Sequence, residues 1–278
     1  MRIFIAGGTG VIGRQLVPLL VRQGHDVVVG TRRPDHLPAL RDAGADGAVM
    51  DVFDAESVAA AVAGASPEVV VHQLTSLAGG DPAANARIRA EGTRNLVGAA
   101  KRAGVRRIVA QSISWAYEPG PGPAAEDTPL DIGAPAPRSV TVGGVRALES
   151  AVAEIDEYVI LRYGTFYGPG TWYAPGGFVA GALAKGTVAA NDAVSSFVHV
   201  EDAAAAVPLA LGWPSGAVNI VDDEPAPAHL WVPVLAGVLG APAPARSEGG
   251  AAWERGAANA KARSLGWLPG HPTWRTGF

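Results

Sequence analysis

The sequence contains no cysteine, which excludes disulfide bonds, thiolate nucleophiles and thiolate-bound metal. Charge is also scarce: 17% of the 278 residues are charged, and the net charge is −4. Without an excess of basic residues, neither nucleic acid nor an anionic membrane is an expected partner. No apolar run approaches the roughly 18 residues of a membrane span, and the apolar start of the chain is far too short for a signal peptide. We therefore expect a cytoplasmic protein that acts on a small molecule.

Lysine and tyrosine are the other scarce residues whose scarcity has a consequence. The basic residues comprise 19 arginines and three lysines (Lys101, Lys185 and Lys261), and the chain has five tyrosines. No tyrosine is followed four residues later by a lysine, so the chain contains no Tyr-x-x-x-Lys pair. Patterns typical of metal sites, such as H-x-x-H, paired carboxylates or an EF-hand loop, do not occur, and no metal is expected.

Short β-branched runs alternate with longer helical patterns through the first two hundred residues. The predicted strands are Arg2–Ala6, Asp26–Gly30, Gly47–Met50, Glu68–Gln73, Arg107–Gln111, Tyr158–Arg162 and Ser196–Val200. The predicted helices are Val11–Gln23 (with a kink at Pro18), Pro34–Ala43, Ala55–Ala63, Pro82–Ala103 and Val142–Ile155. Such alternation is typical of βαβ units, so we predict an α/β fold with a Rossmann-type, doubly wound parallel sheet.

Two stretches interrupt this alternation: Pro119–Pro137, rich in proline, glycine and acidic residues, and Gly164–Gly177, rich in glycine and aromatic residues. Long irregular loops at the carboxyl ends of strands are usually functional or mobile. After them the chain carries proline-interrupted helices such as Leu230–Leu239. We therefore predict a nucleotide-binding Rossmann domain from residues 1–165 and about 187–222. Residues 166–186 and 223–278 are predicted to form a small, partly interleaved C-terminal substrate lobe.

A glycine-rich loop, Gly7–Gly13, joins the first predicted strand to the first helix with the sequence GGTGVIG. Both G-x-G-x-x-G and G-x-x-G-x-x-G fit this loop. Glycines let the backbone turn tightly against a pyrophosphate, whose charge is held by free N–H groups at the helix N-terminus. The strand–turn–helix context predicts a dinucleotide site made by Gly7, Gly10, Val11, Ile12 and Gly13.

The end of the second strand indicates which dinucleotide binds. A site for NAD usually places an Asp or Glu about 20 residues after the glycines, where it binds the ribose hydroxyls. Here Thr31, Arg32 and Arg33 follow the strand, and no carboxylate does. Because guanidinium groups bind a 2′-phosphate well, the sequence favours NADP over NAD, although the two arginines could instead form a solvated turn.

Three further residues are candidate cofactor contacts. Asp51 follows the third strand just before Val52, and its carboxylate could accept a hydrogen bond from the adenine amino group. His72 ends the fourth strand beside the expected cofactor, where the sequence is equally compatible with a structural role.

Several segments beyond the glycine loop carry short motifs that contribute to one resemblance. They are Gly92–Leu96, Ser112–Ser114, Leu161–Gly164, Tyr167–Gly170 and Phe197–Asp202. Together with the loop and Asp51, they resemble the short-chain dehydrogenase/reductase superfamily, in particular its extended type, the NAD-dependent epimerase/dehydratase family, including its atypical members. The resemblance covers nearly the whole chain.

This resemblance implies a catalytic Tyr-x-x-x-Lys pair on the helix after the fifth strand, and a Ser or Thr at the end of that strand. It also implies that the Tyr exchanges a proton with the substrate oxygen, while the Lys lowers the pKa of the Tyr and holds the nicotinamide ribose. If Glu149 matches the Glu that relatives often carry four residues after the Lys, Thr141 stands at the Tyr position and Val145 at the Lys position. The family's Asn three residues before Gly92 is replaced by Arg89.

Other side chains would then have to form the proton relay. Ser112 and Ser114 follow the fifth strand and could bind a substrate carbonyl, unless they form a solvated turn. Tyr117, Tyr163 and Tyr167 could act as the acid, although each could instead be a packing residue with a satisfied hydroxyl. The predicted catalytic residues are Ser112, Ser114, Thr141, Tyr163 and Tyr167.

The leading hypothesis is an NADP-dependent oxidoreductase that acts on a carbonyl or hydroxyl group through this rearranged relay. Two alternatives stay open: a non-redox enzyme such as a cyclase, dehydratase or aldol-type lyase, and an NADP-sensing protein without turnover. Aromatic residues near the two irregular loops indicate an apolar or aromatic substrate, unless they only pack the lobes together. These residues are Trp115, Trp172, Tyr173 and Phe178.

Two weaker indications concern biological context. The bias toward Ala, Gly and Arg is typical of a GC-rich coding sequence and associates the protein with secondary metabolism. The small residues Gly143 and Gly144 would permit close packing in a homodimer without requiring it.

Overall fold

The computed structural model describes residues 1–76 and 80–278, and it confirms the predicted α/β fold. Its strands are β1 Arg2–Ala6, β2 Asp26–Thr31, β3 Asp46–Val49, β4 Val69–His72, β5 Arg107–Ile113, β6 Glu157–Tyr163, β7 Thr165–Tyr167, β8 Val194–Ser195, β9 Phe197–His199, β10 Gly216–Ile220 and β11 Ala226–Pro227.

Along the chain, helices alternate with the strands of the sheet, as expected of βαβ units. They are α1 Val11–Arg22, α2 Leu37–Asp42, α3 Ala55–Ala65, α4 Pro82–Arg87, α5 Thr93–Arg102, α6 Arg138–Val152, α7 Phe178–Ala184, α8 Val200–Ala210, α9 Ala228–Leu239 and α10 Ala260–Ser264. A π-helical turn, Ile88–Gly92, lies between α4 and α5. No helix in the described ranges combines the length and the apolar composition required to cross a membrane.

Seven strands form one sheet in the order β10-β6-β5-β4-β1-β2-β3. The chain starts in the middle of this sheet and winds outward in both directions, as in a Rossmann fold. β1 pairs in parallel with β2 on one side and with β4 on the other, and Ala6 lies opposite both Gly30 and His72. The carboxyl ends of these three strands therefore meet at one edge of the sheet.

The predicted strands are present with bounds that shift by one or two residues, and the differences elsewhere have physical causes. The predicted strand Ser196–Val200 is β9, which pairs with β7 in a separate two-stranded sheet and not with the large one. α1 continues through Pro18. The predicted helix Pro82–Ala103 is interrupted by the π-helical turn Ile88–Gly92, which divides it into α4 and α5.

The chain divides into two compact units. The first unit comprises Met1–Ser112, Asp131–Leu161 and Ala204–Ala217, and the second comprises Ile113–Leu130, Arg162–Ala203 and Val218–Phe278. The core of the first unit is built from fully buried aliphatic side chains of strands and helices, including Val70, Leu96 and Ile108. Burial of such side chains is the main stabilising term, at about 25 cal/mol per Å².

The second unit has an aromatic core. The ring of Phe197 lies 5.3 Å from the ring of Trp231 and 6.2 Å from that of Tyr167, both in edge-to-face geometry. Trp274 and Phe278 complete the cluster. Edge-to-face aromatic pairs contribute about 0.5–1.5 kcal/mol each beyond the burial of their area.

A buried carboxylic acid, Asp222, lies in this second unit. Its side chain is 1% exposed, and within the described residues its Oδ2 has no hydrogen-bond partner. Its Oδ1 accepts a hydrogen bond from the backbone N–H of Glu224 at 3.3 Å. Burial raises the pKa of Asp222 to about 8, and the neighbouring carboxylates Glu224 and Asp223 contribute to that rise. Folding therefore favours the protonated form of this group.

We expect Asp222→Asn to become increasingly stabilising, relative to the wild type, as pH rises. The folded pKa exceeds the unfolded one, so the contribution of Asp222 is fully present below pH 4 and is lost as pH rises to about 8. An amide has the shape of the protonated acid and does not ionise. Between pH 5 and pH 8 the stability difference should grow by on the order of 3–4 kcal/mol, measured from urea unfolding curves.

Asp223→Asn provides the control for this prediction, because it removes a carboxylate from an exposed position nearby. Asp223 forms an ion pair with Arg263 at 2.8 Å, and exposed pairs of this kind contribute about 0–1 kcal/mol. If Asp222→Asn lowers the midpoint at pH 8 by more than this control, the buried group is ionised and stabilising, contrary to our expectation.

Candidate active site

The glycine loop between β1 and α1 is held in shape by close backbone contacts. Gly7 has φ +91°, and a Cβ on it would lie 2.5 Å from the carbonyl oxygen of Gln73. A Cβ on Gly13 would lie 2.3 Å from the carbonyl carbon and oxygen of Gly8. The N–H of Gly10 donates to the carbonyl of Gly7 at 3.1 Å, which closes the turn. Only glycine fits at Gly7 and Gly13 without moving backbone.

The residues of this loop fit a dinucleotide pyrophosphate. Gly10 caps α1 without a side-chain hydrogen bond, so the first N–H groups of the helix, starting at Val11 and Ile12, have no side-chain acceptor at the cap. Such a helix N-terminus attracts phosphate oxygens. Beside it, the side-chain amide of Gln73 is buried, and neither its nitrogen nor its oxygen has a hydrogen-bond partner within the described ranges. A bound ligand would satisfy these groups.

The two arginines after β2 differ in their surroundings. Arg33 forms a 2.6 Å ion pair with Asp35, and its backbone N–H donates to the buried hydroxyl of Thr31 at 3.2 Å. The hydrogen bond with Asp35 raises the pKa of Arg33. Arg32 is exposed and forms no ion pair with any described residue. The charge of Arg32 is therefore available to an anionic ligand, whereas that of Arg33 is largely compensated.

Asp51 and Val52 form the turn that follows β3. The Asp51 carboxylate accepts a hydrogen bond from the N–H of Phe53 at 3.0 Å and remains exposed. Val52 is buried, and its carbonyl accepts a hydrogen bond from the side-chain amide of Asn95 at 2.9 Å. These bonds fix the turn and leave the Asp51 side chain at the surface, where it is accessible to a ligand.

His72, at the end of β4, is fully buried. Its Nε2 lies 2.8 Å from the hydroxyl of Thr93, and its Nδ1 has no hydrogen-bond partner among the described residues. Burial lowers the pKa of His72 to about 4, and the charge of Arg89 adds to this effect. The imidazole is therefore neutral near pH 7 and joins β4 to α5.

Ser112 donates a hydrogen bond to a buried carboxylate. Its Oγ lies 2.7 Å from Oε1 of Glu149, and both side chains are buried. Glu149 belongs to α6, which also carries Thr141, half-buried, and Val145, fully buried. The serine at the end of β5 thus has a fixed hydroxyl orientation, and the helix that faces it offers a carboxylate and no phenol or amine.

Two candidate tyrosines of the second unit, Tyr163 and Tyr167, have backbone acceptors, whereas Tyr117 donates to the side-chain oxygen of Asn219 at 2.5 Å. The hydroxyl of Tyr163 donates to the carbonyl of Ala203 at 3.0 Å. The hydroxyl of Tyr167 lies 3.5 Å from the carbonyl of His271 and 3.4 Å from that of Thr273. Burial raises the pKa of Tyr167, which makes it harder to deprotonate.

Of the other candidate groups, Ser114 is buried, and its N–H donates to the carbonyl of Tyr163 at 2.9 Å. These hydrogen bonds show that the hydroxyls of Tyr163 and Tyr167 and the backbone of Ser114 help to hold the second unit together. Their assignment to catalysis stays a prediction.

The second unit also contains a cluster that sequence reasoning missed. The rings of His199 and His271 stack with 3.7 Å between their centroids, and Glu201 offers a carboxylate within 4.8 Å of a nitrogen of each ring. The cluster has the donor types of a metal site, but Nδ1 of His199 already accepts the N–H of Glu201 at 3.3 Å. No short motif predicts it, because its histidines are far apart in the sequence.

Comparisons with known proteins show what the chain is similar to. The model of the NAD dependent epimerase/dehydratase family matches residues 3–221. A 3-diazoavenalumate denitrifying reductase from a Streptomyces species is 45% identical over 306 aligned residues, which cover 100% of this chain and 99% of the relative.

Two solved structures share the fold over almost their whole length. The Bordetella bronchiseptica enzyme WbmG, in complex with NAD and UDP, has a TM-score of 0.77 at 26% identity, covering 97% of this chain and 90% of that one. A UDP-glucose 4-epimerase of Thermus thermophilus in complex with NAD has a TM-score of 0.78 at 25% identity, with 100% and 96% covered.

Proposed function

The chain belongs to the NAD-dependent epimerase/dehydratase family, and from this we propose that it is an NADPH-dependent reductase that removes nitrogen from a diazo-substituted aromatic compound. One observation carries the proposal. The chain matches a reductase of a diazo compound along its entire length, yet it contains no Tyr-x-x-x-Lys pair. The chemistry of diazo groups accounts for both facts.

Reduction of a carbonyl requires a proton donor for the oxygen, and this is the role of a catalytic acid. Bound NADPH would supply a hydride, and hydride with an aryl diazonium ion gives the arene and N₂ while NADPH becomes NADP⁺, so no proton is taken from a side chain. An enzyme for this reaction must bind and orient its ligands but does not need a Tyr with a lowered pKa. The hydroxyls of Tyr163 and Tyr167 are then free to stabilise the second unit through backbone acceptors.

Two features support the choice of ligands. Arg32 after β2 is exposed and forms no ion pair with the described residues, which favours the 2′-phosphate of NADPH. In the second unit, Trp172 and Phe178 are 38% and 67% exposed, with their ring centroids 5.5 Å apart. Exposed neighbouring aromatic rings are suited to an aromatic ligand.

The proposal is tested with a diazotised aminobenzoate labelled with ¹⁵N in the diazo group. We expect one ¹⁵N₂, measured by gas mass spectrometry, and one benzoate for each NADPH oxidised, measured by absorbance. The rate without enzyme must be subtracted, since NADPH and diazonium ions can react in solution. Oxidation of NADPH without N₂ release, or N₂ release without oxidation of NADPH, would refute the proposed reaction.

We expect Tyr167→Phe to keep kcat within about threefold of the wild type, because the reaction requires no phenolic acid. Loss of a catalytic acid would instead slow turnover by about 10²–10⁴-fold. The substitution removes only two long hydrogen bonds to backbone, so the measurement is kcat together with the urea midpoint. Tyr163→Phe is the matched variant. A large fall in kcat for either variant, at unchanged stability, would show that the tyrosine acts in a proton relay and would contradict this prediction.

A further inference from the structure

Arg89 is a buried cation in the π-helical turn between α4 and α5. Its side chain is 4% exposed, and among the described residues its guanidinium makes no hydrogen bond and no ion pair. A guanidinium carries five N–H donors, and leaving buried donors without hydrogen-bond acceptors is costly. Arg89 stands where the family resemblance implies an Asn, and its guanidinium N–H donors have no acceptor among the described residues.

The surroundings of Arg89 place it near the ends of β4 and β5. Burial lowers the pKa of Arg89 to about 10, and the charge of Glu149 opposes that shift. Glu149 in turn accepts the hydrogen bond of Ser112, next to the last residue of β5. The charge of Arg89 also acts on His72, the last residue of β4. Glu149 and His72 are the titratable groups that interact with it, and the imidazole is neutral near pH 7.

The order of strands shows which part of a dinucleotide would meet this cation. The glycine loop follows β1, and the strands beside β1 are β2 on one side and β4, then β5, on the other. Arg32, the candidate for the 2′-phosphate, follows β2. A dinucleotide with its pyrophosphate at the loop therefore extends its adenosine half over β2 and its nicotinamide half over β4 and β5.

We propose that Arg89 is a cofactor-binding residue whose guanidinium donates hydrogen bonds to the ribose of the nicotinamide half of the dinucleotide. Ribose hydroxyl oxygens accept such bonds and bring no charge into a site where Glu149 already balances the cation. The inference rests on the proposed use of a nicotinamide dinucleotide, but it does not depend on the diazo substrate.

The test compares ligands that contain or lack the nicotinamide half. Kd is measured by fluorescence for NADPH and NADH, and by calorimetry for 2′,5′-ADP, which has the adenosine half alone. Arg89→Met should weaken both dinucleotides about 10- to 100-fold, the effect of losing hydrogen bonds from a charged donor, and leave 2′,5′-ADP unchanged. Arg89→Lys should fall between Met and the wild type, because a lysine keeps the charge and loses the fork of donors.

Arg87→Met is the matched control, since Arg87 ends α4, is exposed and forms an i,i+4 ion pair with Glu91 at 2.9 Å. It should leave all three Kd values unchanged. If Arg89→Met fails to fold, Arg89→Met with Glu149→Gln removes both charges and permits the same measurements.

Three results would overturn the assignment. If Arg89→Met weakened 2′,5′-ADP binding as much as it weakened dinucleotide binding, the role of Arg89 would be structural. The same conclusion would follow if Arg89→Lys bound dinucleotides no better than Arg89→Met and both variants had a lower urea midpoint. Unchanged Kd values with a raised substrate KM would place Arg89 at the substrate. Failure of the proposed reaction is distinguished from these, because it appears as absent N₂ release by a wild-type protein that still binds NADPH.

Discussion

Gly13→Ala should weaken NADPH binding at least 100-fold and abolish turnover. The added Cβ would lie 2.3 Å from the carbonyl group of Gly8, far inside van der Waals contact, and the atoms that it meets are backbone. The loop must therefore shift at the point where its N–H groups would meet the pyrophosphate. Titration of the variant with NADPH, followed by fluorescence, measures the effect directly.

Gly64→Ala is the control for this substitution, because Gly64 is also a helical glycine but no atom of the described residues lies within 4 Å of the added Cβ. Alanine is the better helix former, so this variant should gain about 0.5–1 kcal/mol of stability and keep its Kd for NADPH. NADPH binding by Gly13→Ala within threefold of the wild type would show that the loop does not hold the pyrophosphate.

Arg32→Ala should raise the Kd for NADPH about 10- to 100-fold and leave the Kd for NADH unchanged. Hydrogen bonds between a guanidinium and a phosphate contribute about 1.5–3 kcal/mol, which corresponds to this range. The effect should depend on the 2′-phosphate, because Arg32 has no other anionic partner among the described residues. Parallel titrations with the two cofactors separate this contact from a general loss of affinity.

Arg33→Ala serves as the comparison, since the 2.6 Å ion pair with Asp35 already compensates its charge. We expect less than a threefold change for either cofactor. A larger loss for Arg33→Ala than for Arg32→Ala would show that the phosphate displaces Asp35. Tighter binding of NADH than of NADPH by the wild type would refute the NADP preference and leave the glycine loop assignment intact.

The features that sequence reasoning predicted well are those fixed by neighbours in the chain. The glycine loop needs only a strand, a turn and a helix in succession, and the short spacing of its glycines carries the signal. The parallel sheet follows from the alternation of apolar strands and amphipathic helices. Even the continuation of α1 through Pro18 depends on local geometry alone.

The features that it could not predict depend on contacts between distant residues. Ser112 was a candidate for substrate binding, but its hydrogen bond to Glu149 spans 37 positions and leaves no periodic pattern. His72 is paired with Thr93, and stacked His199 and His271 are 72 positions apart. The burial of Arg89 was equally hidden, because an arginine in a helical pattern is usually exposed.

The π-helical turn of Ile88–Gly92 has a consequence for how this chain can change. Such a turn holds one more residue than an α-helical turn, so deletion of a single residue there would restore a regular helix. The segments on either side would then rotate against each other by about 100°. Either Thr93 would keep its bond to His72 or Arg89 would stay buried, but not both. A one-codon deletion would thus be a larger event for this protein than most amino-acid replacements.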